Sequence, residues 1–207
     1  LSDLLLFIGL VSENDKKNAL NFMRKNKDIL ISEKVKPIIR SWLADNYDDS
    51  LSFLNEFEYK TEGLVLSELY YLNLALLSNF FGKKEKAYDT FDKSLKEFNV
   101  SKIRTLYFYS LFLKENQEFR KKDTHINNFL DSNYEHSFSL YLEKNKNTDF
   151  MFKDFKYGIS ETLFSLSESL FSQRMFDTSI AFCQIALFIE KNNLMCKYLI
   201  AQNYQSL

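Results

Sequence analysis

Residues 71–95 read YLNLALLSNFFGKKEKAYDTFDKSL, with an apolar helical pattern on either side of Gly82. Ala75 and Ala87 are small residues within the two patterns, and Phe91 is a large residue in the second one. Small residues let two antiparallel helices approach closely, while large neighbours fill the groove beside them. We therefore predict a helical hairpin here, with Gly82 in its turn.

The same pattern recurs near the end of the chain. Residues 166–170, LSESL, align with residues 200–204, IAQNY, at an offset of 34 residues, and residues 176–187, FDTSIAFCQIAL, lie between them. This spacing resembles the period of the tetratricopeptide repeat (TPR), in which two antiparallel helices form one unit. Residues 42–54 also resemble a repeat, with a shortened turn.

Four further segments carry the family resemblance: residues 38–44 (IIRSWLA), 70–75 (YYLNLA), 158–164 (GISETLF) and 185–188 (IALF). They resemble helices of long bacterial TPR-array proteins, over a block from residue 31 to the end. The resemblance implies an all-α fold, a right-handed superhelical solenoid of antiparallel helix pairs in several degenerate repeats. It also implies a scaffold without catalytic residues, and some similar proteins are exported.

Composition agrees with an all-helical chain, because 4 Gly and 1 Pro in 207 residues are too few for the turns of a β-rich fold. We predict helices at residues 2–12, 14–29, 33–46, 48–57, 64–81, 84–97, 102–115, 118–131, 135–145, 156–172 and 176–190, with another opening at 194. The stretch 133–154 departs from the period. We expect a single TPR-like domain over residues 1–207, taken from a longer array.

Charge argues against nucleic acid as a partner, because 27 basic and 28 acidic residues leave a net charge of −1. The apolar run at residues 4–11 is too short to span a bilayer, so no membrane insertion is expected. We expect a cytoplasmic protein, or a periplasmic one if a signal peptide lies upstream.

No residue pattern indicates catalysis, a cofactor or a metal site. His125 and His136 are the only histidines and lack other ligands at metal-binding spacing. Cys183 occupies a position where a TPR places a buried apolar residue, so we expect an inert thiol. We therefore predict that the chain is not an enzyme.

The resemblance places a peptide-binding groove along the inner faces of the first helices of the repeats. Its predicted residues are Leu69, Leu72, Asn73, Leu76, Asn79, Phe80, Glu161, Phe164, Glu168, Phe171, Tyr198 and Gln202. These walls are largely apolar. Leu72 and Phe164 stand where TPRs that clamp a carboxylate carry a lysine, which disfavours that class of ligand. Alternatively, a neighbouring helix of the chain fills part of the groove.

The predicted function is a non-catalytic scaffold that binds a protein or peptide in this apolar concave groove. The runner-up is the peptide-sensing TPR domain of a transcriptional regulator, and an enzyme, or an accessory domain fused to one, comes third. We also expect residues 194–207 to open another first helix. Leu199, Ile200 and Tyr204 would then pack back on the preceding pair, and the forward face would be bare.

Overall fold

A computed structural model describes residues 2–26, 29, 31, 33, 35–57, 64–97, 102–121, 125–126 and 154–206. Over these residues all regular structure is helical, which confirms the all-α class. The helices are α1 (Ser2–Ser12), α2 (Lys16–Lys25), α3 (Lys36–Leu43), α4 (Tyr47–Asn55), α5 (Leu64–Phe80), α6 (Lys84–Glu97), α7 (Lys102–Glu115), α8 (Gln117–Arg120), α9 (Phe155–Ser172), α10 (Phe176–Ile189) and α11 (Leu194–Ser206). The predicted helix 135–145 and nearly all of the irregular stretch 133–154 lie outside the described residues.

The helices group into two compact units. The first comprises Leu1–Glu58 and Asp154–Leu207, and the second comprises Tyr59–Lys153. Helices α1 to α4 and α9 to α11 therefore belong to the first unit, and α5 to α8 to the second. The single TPR-like domain expected over residues 1–207 stays a prediction.

Three helical hairpins share one turn geometry. Each has a residue with positive φ after its first helix: Asn14 (67°), Gly82 (73°) and Arg174 (60°). The residue that follows donates its N–H to a carbonyl five residues back, as Lys83 does to Ser78 at 2.7 Å. This is a Schellman motif, which satisfies carbonyls that the helix end leaves free. Gly82 is thus the turn glycine that the sequence predicted.

The second helix of each of these three hairpins, and of the adjacent pair α3 and α4, carries a small, fully buried residue in its first turn. These residues are Ala19 in α2, Ser50 in α4, Ala87 in α6 and Ser179 in α10, each 0% exposed. In α5 the predicted partner Ala75 is also 0% exposed. A larger side chain at these positions would hold the paired helices apart, because packed interiors have no spare volume.

Helix α2 begins at residue 16 rather than at the predicted residue 14, and its turn explains the difference. Asn14 has a left-handed backbone that no helix interior accepts. Asp15 follows as the N-cap, and its carboxylate accepts the N–H of Asn18 at 3.2 Å. At α3, Pro37 lies in the first turn, where its missing N–H costs nothing.

Close contact between α3 and α9 joins the two segments of the first unit. Trp42 on α3 is 0% exposed. A Cβ atom built on Gly158 of α9 would lie 2.1 Å from two atoms of the indole ring, so only glycine fits there. Lys16 adds a second link, since its ammonium donates to the Ala44 carbonyl at 2.9 Å and lies 5.0 Å from the ring centre of Phe155.

An aromatic cluster fills the second unit between α6, α7 and α8. The Phe91 ring lies 5.6 Å from Tyr109 and 5.7 Å from Phe112, and Phe119 stacks 5.0 Å from Tyr88. Aromatic pairs at such separations stabilise a core beyond their buried area. Phe91 and Phe112 are both 0% exposed and belong to the core of this unit.

Candidate protein-interaction surface

The predicted groove residues of α5 divide between interior and surface. Leu72, Asn73 and Leu76 are 4%, 1% and 0% exposed, whereas Leu69, Asn79 and Phe80 are partly exposed. Asn73 also donates its side-chain amide to the carbonyl of Leu69 at 2.9 Å. Leu72, Asn73 and Leu76 are therefore core residues of the second unit in this conformation. Their burial agrees with the alternative in which a neighbouring helix of the chain fills part of the groove.

The predicted groove residues of the first unit divide in the same way. Glu161 and Phe164 on α9 are 1% and 2% exposed. Glu168 is exposed, and Phe171 is partly exposed with its ring 5.6 Å from Phe176. On α11, the side-chain amide of Gln202 donates to the Tyr198 hydroxyl at 3.2 Å. Glu168, Phe171, Tyr198 and Gln202 are therefore the members of this group that a partner could reach.

The outward side of α11 is a larger exposed surface than these four residues indicate. Leu194, Tyr198 and Tyr204 are 48%, 60% and 62% exposed, and Lys197 and Ala201 are exposed as well. At 3.6 residues per turn these five positions fall within about a third of the helix circumference. We call them the α11 outer face. Phe188, near the end of α10, is another exposed aromatic residue, at 63%.

The backward packing predicted for α11 is right for Leu199 and wrong for Tyr204. Leu199 is 4% exposed, together with Cys196 and Asn203 at 0%. Tyr204 lies on the opposite side of the helix because it is five residues from Leu199, which turns it by about 140°. Sequence reasoning missed Leu194 and Phe188, because an apolar residue in a helix is first assigned to a core.

Buried hydrogen bonds hold α11 in register on α9 and α10. The Asn193 amide donates to the Ser160 hydroxyl at 3.0 Å, and the Asn203 amide donates to the Ser179 hydroxyl at 3.1 Å. Ser179 in turn donates to the Ser167 carbonyl at 2.8 Å. Because buried polar groups are costly when unpaired, these bonds select one alignment of the three helices. The outward direction of the α11 outer face is thereby fixed.

His125 lies in the second unit and contacts a carboxylate. Its Nε2 is 2.8 Å from Asp92 Oδ1, and Lys96 donates to the other oxygen at 2.7 Å. Burial alone would raise the pKa of Asp92, but the hydrogen bonds from Lys96 and His125 outweigh it and lower the pKa below its usual value. His136 lies outside the described residues. The described residues contain no group of three His, Cys, Asp or Glu that could hold a metal ion.

Both cysteines are free thiols in the interior of the first unit. Cys183 and Cys196 are each 0% exposed, so the burial expected for Cys183 is confirmed. No helix in the described part of the chain has the length and hydrophobicity needed to cross a membrane.

Comparison with known proteins adds no identification. The chain matches no family model, and the searches of curated proteins and of solved structures found no match. The identification as a TPR protein therefore stays a prediction.

Proposed function

We propose that the chain is a TPR-like repeat protein whose helix pairs stack as a right-handed solenoid, and that it acts as a non-catalytic scaffold binding a peptide or helix of another protein. Two features support the repeat assignment. The positive-φ residues Asn14 and Gly82 are two periods of about 34 residues apart. The bond from Asn193 to Ser160 places two helices side by side at nearly the same offset.

The observation that carries the binding role is the exposure of large apolar side chains on α10 and α11. Phe188, Tyr198 and Tyr204 are each about three-fifths exposed. Aromatic side chains dominate the energetics of protein interfaces because they bury a large area at a small entropic cost. Single exposed apolar residues are ordinary, whereas several on one helix and its neighbour are typical of a binding surface.

The non-catalytic part of the proposal is supported by the burial of the reactive side chains. Cys183 and Cys196 are inaccessible to a substrate in this conformation. The accessible residues of the predicted groove in the first unit are Glu168, Phe171, Tyr198 and Gln202. Their chemistry suits contact with a peptide.

Site-specific photo-crosslinking tests this function. A benzoylphenylalanine introduced at Tyr198 should yield a discrete adduct with another protein when cells that make the chain are irradiated. The same amino acid at Asp89, an exposed position on α6, is the matched control. Equal adduct patterns from the two positions, or no adduct from Tyr198, would contradict a binding role for this surface.

A further inference from the structure

The α11 outer face occupies positions that a second helix covers elsewhere in the same unit. At an offset of 34 residues, Leu194 corresponds to Ser160 and Ala201 to Ser167. Both serines lie against α10: Ser160 donates to the Ala186 carbonyl at 2.9 Å, and the Ser167 carbonyl accepts from Ser179 at 2.8 Å. The side of α9 that binds α10 is therefore the counterpart of the α11 outer face.

Exposure separates these two sets of positions sharply. In α9, the four residues Ser160, Leu163, Phe164 and Ser167 are at most 2% exposed. Their counterparts at the same offset are Leu194, Lys197, Tyr198 and Ala201, and all four are exposed. The inner side of α11, in contrast, is buried at Cys196, Leu199 and Asn203. Helix α11 is thus held by one helix pair and leaves the side that would hold a further helix open.

The size and shape of this side suit a helix rather than an extended chain. Tyr198 and Tyr204 alone expose on the order of 200 Å², given the area of an aromatic side chain. Ala201 lies between them on the helix surface, and a small residue at this place allows the close approach seen where α10 meets Ser167. Ala201 is small and lies between the exposed Tyr198 and Tyr204, so the ridge of a packed helix could approach α11 there.

Charge specifies the partner further. Residues 191–206 contain Lys191 and Lys197 and no carboxylate. Both lysines are exposed, and neither forms an ion pair among the described residues. Helix α10, which covers the equivalent side of α9, carries Asp177 as its one charged residue. Opposite charges across an interface favour encounter and exclude partners of the wrong sign.

We propose that the α11 outer face binds an acidic amphipathic helix of a partner protein, antiparallel to α11 and with a small residue opposite Ala201. This arrangement repeats the way in which α10 lies on α9. The proposal rests on the function proposed above and adds the kind of partner and its orientation. Tyr198 and Tyr204 form the apolar contacts, and Lys191 and Lys197 contact the carboxylates of the partner.

Two synthetic peptides provide the probe. The first has the sequence of residues 83–97, a hairpin helix with a small residue at Ala87. The second has Glu in place of Lys84, Lys86, Lys93 and Lys96, which leaves the apolar side unchanged and makes the peptide acidic. Fluorescence anisotropy with the full chain should show at least tenfold tighter binding of the acidic peptide at low salt.

Ala201→Trp should weaken the acidic peptide at least tenfold, because the indole occupies the place of the approaching helix. Ala181→Trp, at an exposed alanine of α10, is the control and should bind the acidic peptide with the same affinity as the parent chain. Equal binding by both variants, equal binding of both peptides, or no binding would overturn the proposal. So would a dimer that Ala201→Trp dissociates in ultracentrifugation, since the occupant would then be a second copy. If Tyr198 gave crosslinks but neither peptide bound, the proposed protein-binding function would still hold, whereas the acidic amphipathic helix would be excluded as the partner.

Discussion

Replacing Gly158 by alanine tests whether α3 and α9 form one core. A Cβ atom at this position would lie 2.1 Å from two indole atoms of Trp42 and 2.4 Å from a third. Carbon atoms in ordinary contact are about 3.5 to 4.0 Å apart, so the ring or the helix would have to move by about 1.5 Å. Trp42 is 0% exposed, and packed interiors have little spare volume for a ring to move into. Overpacking of this kind costs about 1 to 3 kcal/mol of the free energy of unfolding.

Gly9→Ala in α1 is the matched control, because a Cβ atom there meets nothing within 4 Å. Both substitutions gain about 0.5 to 1 kcal/mol from replacing glycine inside a helix. The difference between the two variants therefore isolates the contact with Trp42. We expect Gly9→Ala to match or exceed the parent in stability and Gly158→Ala to fall below it.

Urea unfolding followed by fluorescence measures this contact directly, because Trp42 is the single tryptophan of the chain. Gly158→Ala should lower the unfolding midpoint and also change the emission of the folded state, since the indole shifts. Gly9→Ala should leave the emission unchanged. If Gly158→Ala were as stable as Gly9→Ala and emitted like the parent, α9 would not pack on Trp42 as described.

Three further predictions concern single positions. Ala75→Leu should destabilise the chain by about 1 to 3 kcal/mol through overpacking, while Ala201→Leu at the exposed equivalent position changes thermal melting little; equal effects would refute the alignment. Asn193→Ala removes an N-cap bond to Cys196 and the bond to Ser160, so it should cost about 1 to 3 kcal/mol, against almost nothing for the exposed Asn192→Ala in the same urea titration. Asp92 has a lowered pKa, so the stability that its carboxylate contributes is present above a pH of about 4 and is lost as the pH falls through its folded pKa. Asp92→Asn should remove this part of the acid dependence of the free energy of unfolding. Asp89→Asn, at an exposed carboxylate, should leave that acid dependence unchanged.

Local patterns predicted the helices of this chain well because short-range physics determines them. Gly82 was assigned to a turn from its position between two apolar patterns, and its φ of 73° agrees. The equivalent turns at Asn14 and Arg174 have the same backbone without glycine. Asparagine tolerates this conformation better than other residues, and arginine has no such preference. A search for turn glycines therefore finds Gly82 and misses Arg174, whose turn is closed by Met175 donating its N–H to the Leu170 carbonyl at 2.9 Å.

The candidate surface was harder to predict because burial depends on which helices meet. Leu72 and Phe164 were assigned to a groove, yet both are interior. Tyr198, the residue at the same repeat position in α11, is 60% exposed. The repeat pattern specifies a large side chain at this position. It does not specify whether another helix covers that side chain, which is decided by residues far away in the sequence.

The small position of the repeat leads to the same conclusion about function. Ala75 on α5 and Ser167 on α9 are both 0% exposed. Helix α5 packs against α6, and α9 packs against α10. Ala201 has the same small size and is exposed. An alanine side chain contributes little buried area of its own. Its small size, however, permits another helix to approach closely. A helix docked on α11, as proposed above, would account for the alanine at this position, and the exposed tyrosines beside it would supply the area that such a helix buries.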